Sequence, residues 1–218
     1  MSIKSLVNPI INLFKFNEDF SSLTKYFEQL PVDPYVPGGY RHHGLSCFKY
    51  IDRSLWEKQP HKYIFQDDKT NPVAGGIKRQ YPIVVDKLIQ EPTLQLALQQ
   101  FCDTINAQFG DLIDIHMLRT VTTSEQLGEA APEGIHRDAV NHVGIFCINR
   151  HKVTAGETHI YTDKAGARPP VVRKILEPGE MLIIDDNEVF HFTDAVKPTD
   201  NEGYRDVFVF TQSTLMSL

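Results

Sequence analysis

From Asp111 onward the chain is written in short runs of β-branched and aromatic residues, each closed by Gly, Pro, Asp or Asn. The runs are "LIDIHMLRTVT" (112–122), "HVGIFCIN" (142–149), "ETHIYT" (157–162), "VVRKIL" (171–176), "EMLIID" (180–185) and "RDVFVFTQ" (205–212). Such side chains suit a pleated, half-buried surface, and turn residues at these intervals stop the chain before a helix can propagate. Many short strands of this kind close into an antiparallel sandwich, jelly roll or barrel. The expected fold is mainly β, with flanking helices packed on its outside.

Two upstream segments carry a helical period instead. "NEDFSSLTKYFEQL" (17–30) places Phe20, Leu23, Phe27 and Leu30 on one face, and "PTLQLALQQFCDTINAQFG" (92–110) does the same with Leu94, Leu98, Phe101, Ile105 and Phe109 before Gly110 as a stop. Between them, "SCFKYI" (46–51) and "QYPIVV" (80–85) read as strand-like pieces. There is no internal repeat or low-complexity linker, so a single domain over residues 1–218 is expected. With 41% hydrophobic and 10% aromatic residues the chain can bury a substantial core.

A formal charge of -6 and the lack of a basic tract argue against nucleic acid as a partner and favour a small molecule. Cys47, Cys102 and Cys147 are odd in number and far apart, so neither a disulfide framework nor a CxxC metal site is expected. The start "MSIKSLVNPIINLFKF" lacks the charge pattern and cleavage site of a signal peptide, and no run approaches the ~20 apolar residues of a membrane span. A cytoplasmic protein without a membrane anchor is the expectation.

"EGIHRDAVNHVGIFCINRH" holds three histidines. His136 and Asp138 are two apart, so in an extended chain their side chains share a face. An HxD alone is commonplace and usually a surface turn. A third ligand near the end of a later strand gives it meaning, and "EMLIIDDNEVFHF" supplies His191, 53 positions after Asp138. Two His and one carboxylate on one face of a metal leave positions open for a cosubstrate and O₂, the arrangement of non-haem Fe(II) oxygenases. Arg205, 14 positions past His191, opens a strand where its guanidinium could pair bidentately with a carboxylate.

The other histidines have weaker claims. His142 shares the face of His136 but lies roughly 20 Å along an extended chain at about 3.3 Å per residue. His151 follows Asn149 and Arg150 and reads as a turn residue, while His42 and His43 are adjacent and point to opposite faces. His159 is the best rival ligand, because Glu157 shares its face and cupins that are not oxygenases use several His and a Glu.

The segments "GGIKRQYP", "IHMLRTV", "PEGIHRDAVNHVGIFCINRH", "GETHIY", "LIIDDNEVFHFTDAV" and "YRDVFVFT" occur in an order that resembles the 2-oxoglutarate and Fe(II)-dependent oxygenases, in the family containing L-isoleucine 4-hydroxylase and related free amino-acid hydroxylases. The likeness runs from about Arg41 to Thr211. It implies a double-stranded β-helix, a cupin-like jelly roll, with Fe(II) on His136, Asp138 and His191 and 2-oxoglutarate anchored by Arg205. It implies oxidation of the cosubstrate by O₂ to succinate and CO₂, coupled to hydroxylation or sulfoxidation of a free amino acid. Arg119, with Arg41 or Gln80, is then the candidate for the substrate carboxylate. One departure is local. Many oxygenases of the wider superfamily carry Ser or Thr two positions after this arginine, and here Val207 stands there. The rival readings are a metal-binding cupin without redox chemistry and an oxygenase acting on a protein.

Overall fold

The computed structural model describes residues 10–53, 55–60, 63–83 and 87–213. The first nine residues, read above for a leader, lie outside these, as do Val84 and Val85 of "QYPIVV". In chain order the strands are β1 (Ile11–Lys15), β2 (Arg41–Asp52), β3 (Leu55–Lys58), β4 (Leu112–Thr123), β5 (His142–His151), β6 (Val153–Ala155), β7 (Glu157–Tyr161), β8 (Val172–Ile175), β9 (Glu180–Asp185), β10 (Phe190–Thr193), β11 (Val196–Pro198) and β12 (Glu202–Ser213). The helices are α1 (Thr24–Phe27) and α2 (Pro92–Thr104).

Seven strands form one sheet in the order β1-β9-β5-β12-β4-β2-β3, three form a second in the order β10-β7-β8, and β11 pairs β6. Neighbouring strands are antiparallel throughout, the pattern of a jelly roll. Alternation along each strand sorts side chains between two apolar layers. Ile113, Ile115 and Met117 of β4, Phe146 of β5 and Phe208 and Phe210 of β12 face outward against Leu94, Leu98 and Phe101 of α2 and against Phe20, Leu23 and Phe27. Val143, Ile145 and Cys147 of β5, Leu182 and Ile184 of β9 and Val207 of β12 face inward and meet Ile160 of β7 from the smaller sheet. All three cysteines are buried and none forms a disulfide.

The first helical segment is shorter than its spacing predicts. Only Thr24–Phe27 is α-helical, preceded by a 3₁₀ turn over Ser21–Leu23, yet Phe20, Leu23 and Phe27 all reach the outer core. The second ends at Thr104, before the predicted Gly110, because Asn106 takes a left-handed conformation (φ 53°) and Ala107 N donates back to Cys102 O. Asn tolerates this helix-ending geometry better than most residues. Phe109, predicted on the buried stripe, is 70% exposed as a result. "SCFKYI" falls inside β2, while the described residues of "QYPIVV" give an isolated bridge from Ile83 to Leu45. Among the described residues no helix is long and apolar enough to cross a membrane.

Candidate metal centre and its surroundings

His136 and His191 are held together by backbone before side chains enter. His136 N donates to His191 O at 3.0 Å and His191 N to His136 O at 2.9 Å, tying the loop before β5 to β10. The two rings then stand 4.3 Å apart between centroids. Asp138 completes the set, with its oxygens 3.7 Å from His136 Nε2 and 3.6 Å from His191 Nε2. These separations are shorter than two metal–ligand bonds of ~2.1 Å laid end to end, so one ion can touch all three. His136 Nδ1 lies 2.8 Å from Gly134 O, which favours the tautomer with the proton on Nδ1 and a bare Nε2 for a metal. Burial, reinforced by His136, holds the His191 pKa well below the ordinary histidine value and so keeps it neutral, the form that ligates.

Asp186 shapes the loop that carries Asp138. It is only 1% exposed, and its carboxylate accepts from Asp138 N and Val140 N, both at 3.2 Å, around Ala139 in a left-handed conformation (φ 60°). A non-glycine residue in that region persists only where its surroundings over-determine it. Burial, and next the charge of Asp138, push the Asp186 pKa up to about 7 against the two backbone bonds. Gln66 braces the loop from the other side, its Nε2 donating to Asp138 O at 3.1 Å.

Arg205 lies on the inward face of β12 and is 3% exposed. Its Nε and Nη2 are buried without a hydrogen-bond partner among the described residues. Orphaned guanidinium N–H groups of this kind fit the carboxylate of an absent anion. Val207 cannot assist, because its side chain is packed into the inner apolar layer.

The residues expected to bind substrate fare differently. Arg119 is a correction. It stands on the same side of β4 as Ile113, Ile115 and Met117, facing the helices, and its guanidinium forms a bidentate pair with Asp206 (2.7 and 2.8 Å) while stacking on Tyr204. Gln80 is exposed, with its backbone N–H on the Tyr35 hydroxyl. Arg41 is buried on β2 and pairs with Asp33 at 2.9 Å and Glu133 at 3.3 Å, the latter three residues before His136. Arg79, which the sequence reading passed over, is the neighbour of Gln80 that points inward. It is 4% exposed, donates to Gln66 Oε1, and leaves its Nε unpartnered. Its only signal in the sequence is its place within "GGIKRQYP", in an irregular stretch where facing cannot be read.

Among the described residues the remaining histidines have other partners. His142 Nδ1 meets Gln212 Oε1 at 2.7 Å, His151 stacks on Tyr204, and His42 Nδ1 contacts Leu30 O at 2.7 Å. His43 is buried on the opposite face, 3.1 Å from His116. His159 forms a second cluster with Glu157 and Asp194, at 3.3 and 3.1 Å. That cluster is on the outward side of β7, since alternate residue Ile160 faces the inner layer, and it cannot share an ion with His191.

A jelly roll carrying two histidines and one carboxylate within reach of a single ion, with a buried arginine lacking an anion on its inward face, has the build of a non-haem iron oxygenase. The chain belongs to the 2OG-Fe dioxygenase family, which it matches over residues 24–211. It is 23% identical over 209 residues to the 3(1)-hydroxy-L-isoleucine 4-dioxygenase of Pantoea ananatis (strain AJ13355), an alignment covering 90% of this chain and 81% of that one. Among solved structures it resembles a bsmA homolog from Methylobium petroleophilum PM1, with TM-score 0.75, 28% identity, and 90% and 81% of the two chains covered. It also resembles IDO from Bacillus thuringiensis, with TM-score 0.75, 17% identity, and 94% and 90% covered. The protein is accordingly an oxidoreductase that uses Fe(II) and 2-oxoglutarate.

Proposed function

We propose that His136, Asp138 and His191 hold the Fe(II), that Arg205 binds the distal carboxylate of 2-oxoglutarate, and that the substrate is a free amino acid. The bound metal supplies the coupled oxidation in which O₂, 2-oxoglutarate and a substrate C–H give succinate, CO₂ and a hydroxylated product. The protein's part is to orient both organic partners and keep water from the reacting centre.

The observation that carries the substrate class is Arg79. It is a buried guanidinium with no carboxylate within ion-pair distance among the described residues, and only Gln66 separates it from the backbone of Asp138. The other buried cation nearby, Arg41, is already matched by Asp33 and Glu133. A buried charge lacking a partner is costly, so Arg79 suits a ligand that brings a carboxylate. Glu133, on the loop leading to His136, offers the complementary anion for an ammonium group. The similarity to an isoleucine dioxygenase points the same way.

The test is a screen of the protein amino acids for stimulated succinate formation, followed by comparison of the best substrate with its C-terminal amide. The free acid should be preferred by at least tenfold, because amidation leaves the guanidinium unpaired. Arg79→Ala should erase the preference. Equal rates for acid and amide in the wild type would sink the free-acid reading.

A further inference from the structure

Arg205 is not the only buried guanidinium in its part of the inner face. Arg150 of β5 is its partner across the ladder, and its side chain is 7% exposed. The two side chains converge on Gly156, whose φ is +69°. A Cβ built there would lie 3.5 Å from Arg150 Nη1 and 3.7 Å from Arg205 Cδ. Arg150 Nη2 donates to Ala155 O at 2.7 Å, and its Nε is 3.9 Å from Glu177, whose side chain is largely exposed. Its Nη1 is buried without a partner among the described residues, as are Nε and Nη2 of Arg205.

Two like charges buried side by side repel, and one carboxylate at the edge of contact offsets little of that. Burial draws the Arg205 pKa down; the nearby Cys147 resists this and the charge of Arg150 adds to it. Three unpartnered donor nitrogens from two cations on adjacent strands therefore call for an anion. From His191 the chain runs on to the neighbourhood of Gly156. Thr193 lies two residues after His191 on the same face of β10, and Val196, just beyond, packs where a Gly156 side chain would stand. With Val207 apolar and packed away, no hydroxyl at that position shares the work of Arg205.

We propose that Arg150 is a second cosubstrate-binding residue, its Nη1 joining Arg205 on the distal carboxylate of 2-oxoglutarate. The proposal rests on the reading of Arg205 given above. Charge-assisted bonds to a carboxylate are among the strong ones, and two arginines replace an arginine and a hydroxyl. The ordinary alternative is that Arg150 only fastens the β5–β6 turn through Ala155 O and Glu177.

The experiment is calorimetric titration of Mn(II)-loaded protein, without O₂, with 2-oxoglutarate and with 2-oxobutyrate, which lacks the distal carboxylate. Arg150→Met should weaken 2-oxoglutarate binding tenfold or more and leave 2-oxobutyrate binding at its wild-type value. Unchanged 2-oxoglutarate affinity, or equal weakening of both acids, overturns the proposal. Arg150→Lys keeps the charge without the fork and decides the matter if the Met variant does not fold. It should lose several-fold in affinity for 2-oxoglutarate alone, and wild-type affinity there is again an overturning result. Arg205→Met, run alongside, separates the two assignments. If it leaves 2-oxoglutarate affinity unchanged, the Arg205 reading falls and this proposal with it.

Discussion

Arg119 and Asp206 meet on the helix-facing side of the large sheet, where Asp206 is fully buried and both carboxylate oxygens are engaged. Removing one partner of such a pair strands the other, at about 3 to 5 kcal/mol. Arg119→Ala should therefore lower the urea midpoint sharply, while the variant that does fold keeps the wild-type KM for substrate. A raised KM at unchanged stability would return Arg119 to the site. His43 makes a prediction about pH. Burial, only partly opposed by its contact with Asp33, lowers its pKa to about 4 from an ordinary 6.5. The unfolded chain then binds the extra proton between those values, so this residue's contribution is present above about pH 6.5 and lost as pH falls toward 4. Across that window the wild type should lose on the order of 3 kcal/mol relative to His43→Phe, which does not titrate. Parallel stability curves for the two proteins between pH 4 and 6.5 would contradict it. The nearness of His136 and Asp138 could be expected from their two-residue spacing in an extended chain, although both stand in a loop outside the named strands, with His136 on an isolated bridge. Arg119 was misread because the same period says which residues share a face, but not which face looks inward.

At the scale of elements, α2 docks where β5 makes room. Gly144 faces outward beneath Phe101, and a Cβ there would stand 2.7 Å from Phe101 Cδ2. Gly144→Ala should cost about 1 to 3 kcal/mol through forced repacking, read by thermal or urea unfolding, with metal affinity unchanged. The loop of residues 136–141 depends on Asp186, which ties Asp138 N and Val140 N. Asp186→Ala should weaken metal binding roughly 10- to 100-fold in a Co(II) titration, as loss of a supporting carboxylate does elsewhere. Wild-type metal affinity would mean that the loop holds its shape without it. The apolar spacing of "NEDFSSLTKYFEQL" identified the residues that reach the core but overstated the helix. Spacing reports burial, and a 3₁₀ turn followed by a single α-turn buries Phe20, Leu23 and Phe27 just as well. The segment holding Arg79 has no period at all, which is why its most buried cation went unread.

Across the whole molecule, the large sheet is covered on one side by helices and on the other by the smaller sheet, so β5, β9 and β12 carry apolar residues on both faces. That doubles the hydrophobic signal in those three strands and makes a layered β fold easy to expect. It also erases the polar-out alternation that would have told inside from outside. Into this frame the chain places the candidate ligands from two distant segments, 53 positions apart, and joins them by the His136–His191 bridge. The proposed chemistry requires that this junction hold the catalytic iron. Protein reconstituted with Fe(II) and assayed under air for 2-oxoglutarate consumption should form succinate and bind one iron per chain, and Asp138→Ala should lose both while melting as a folded protein. Succinate formation at the wild-type rate by Asp138→Ala, with iron still bound, would contradict the assignment.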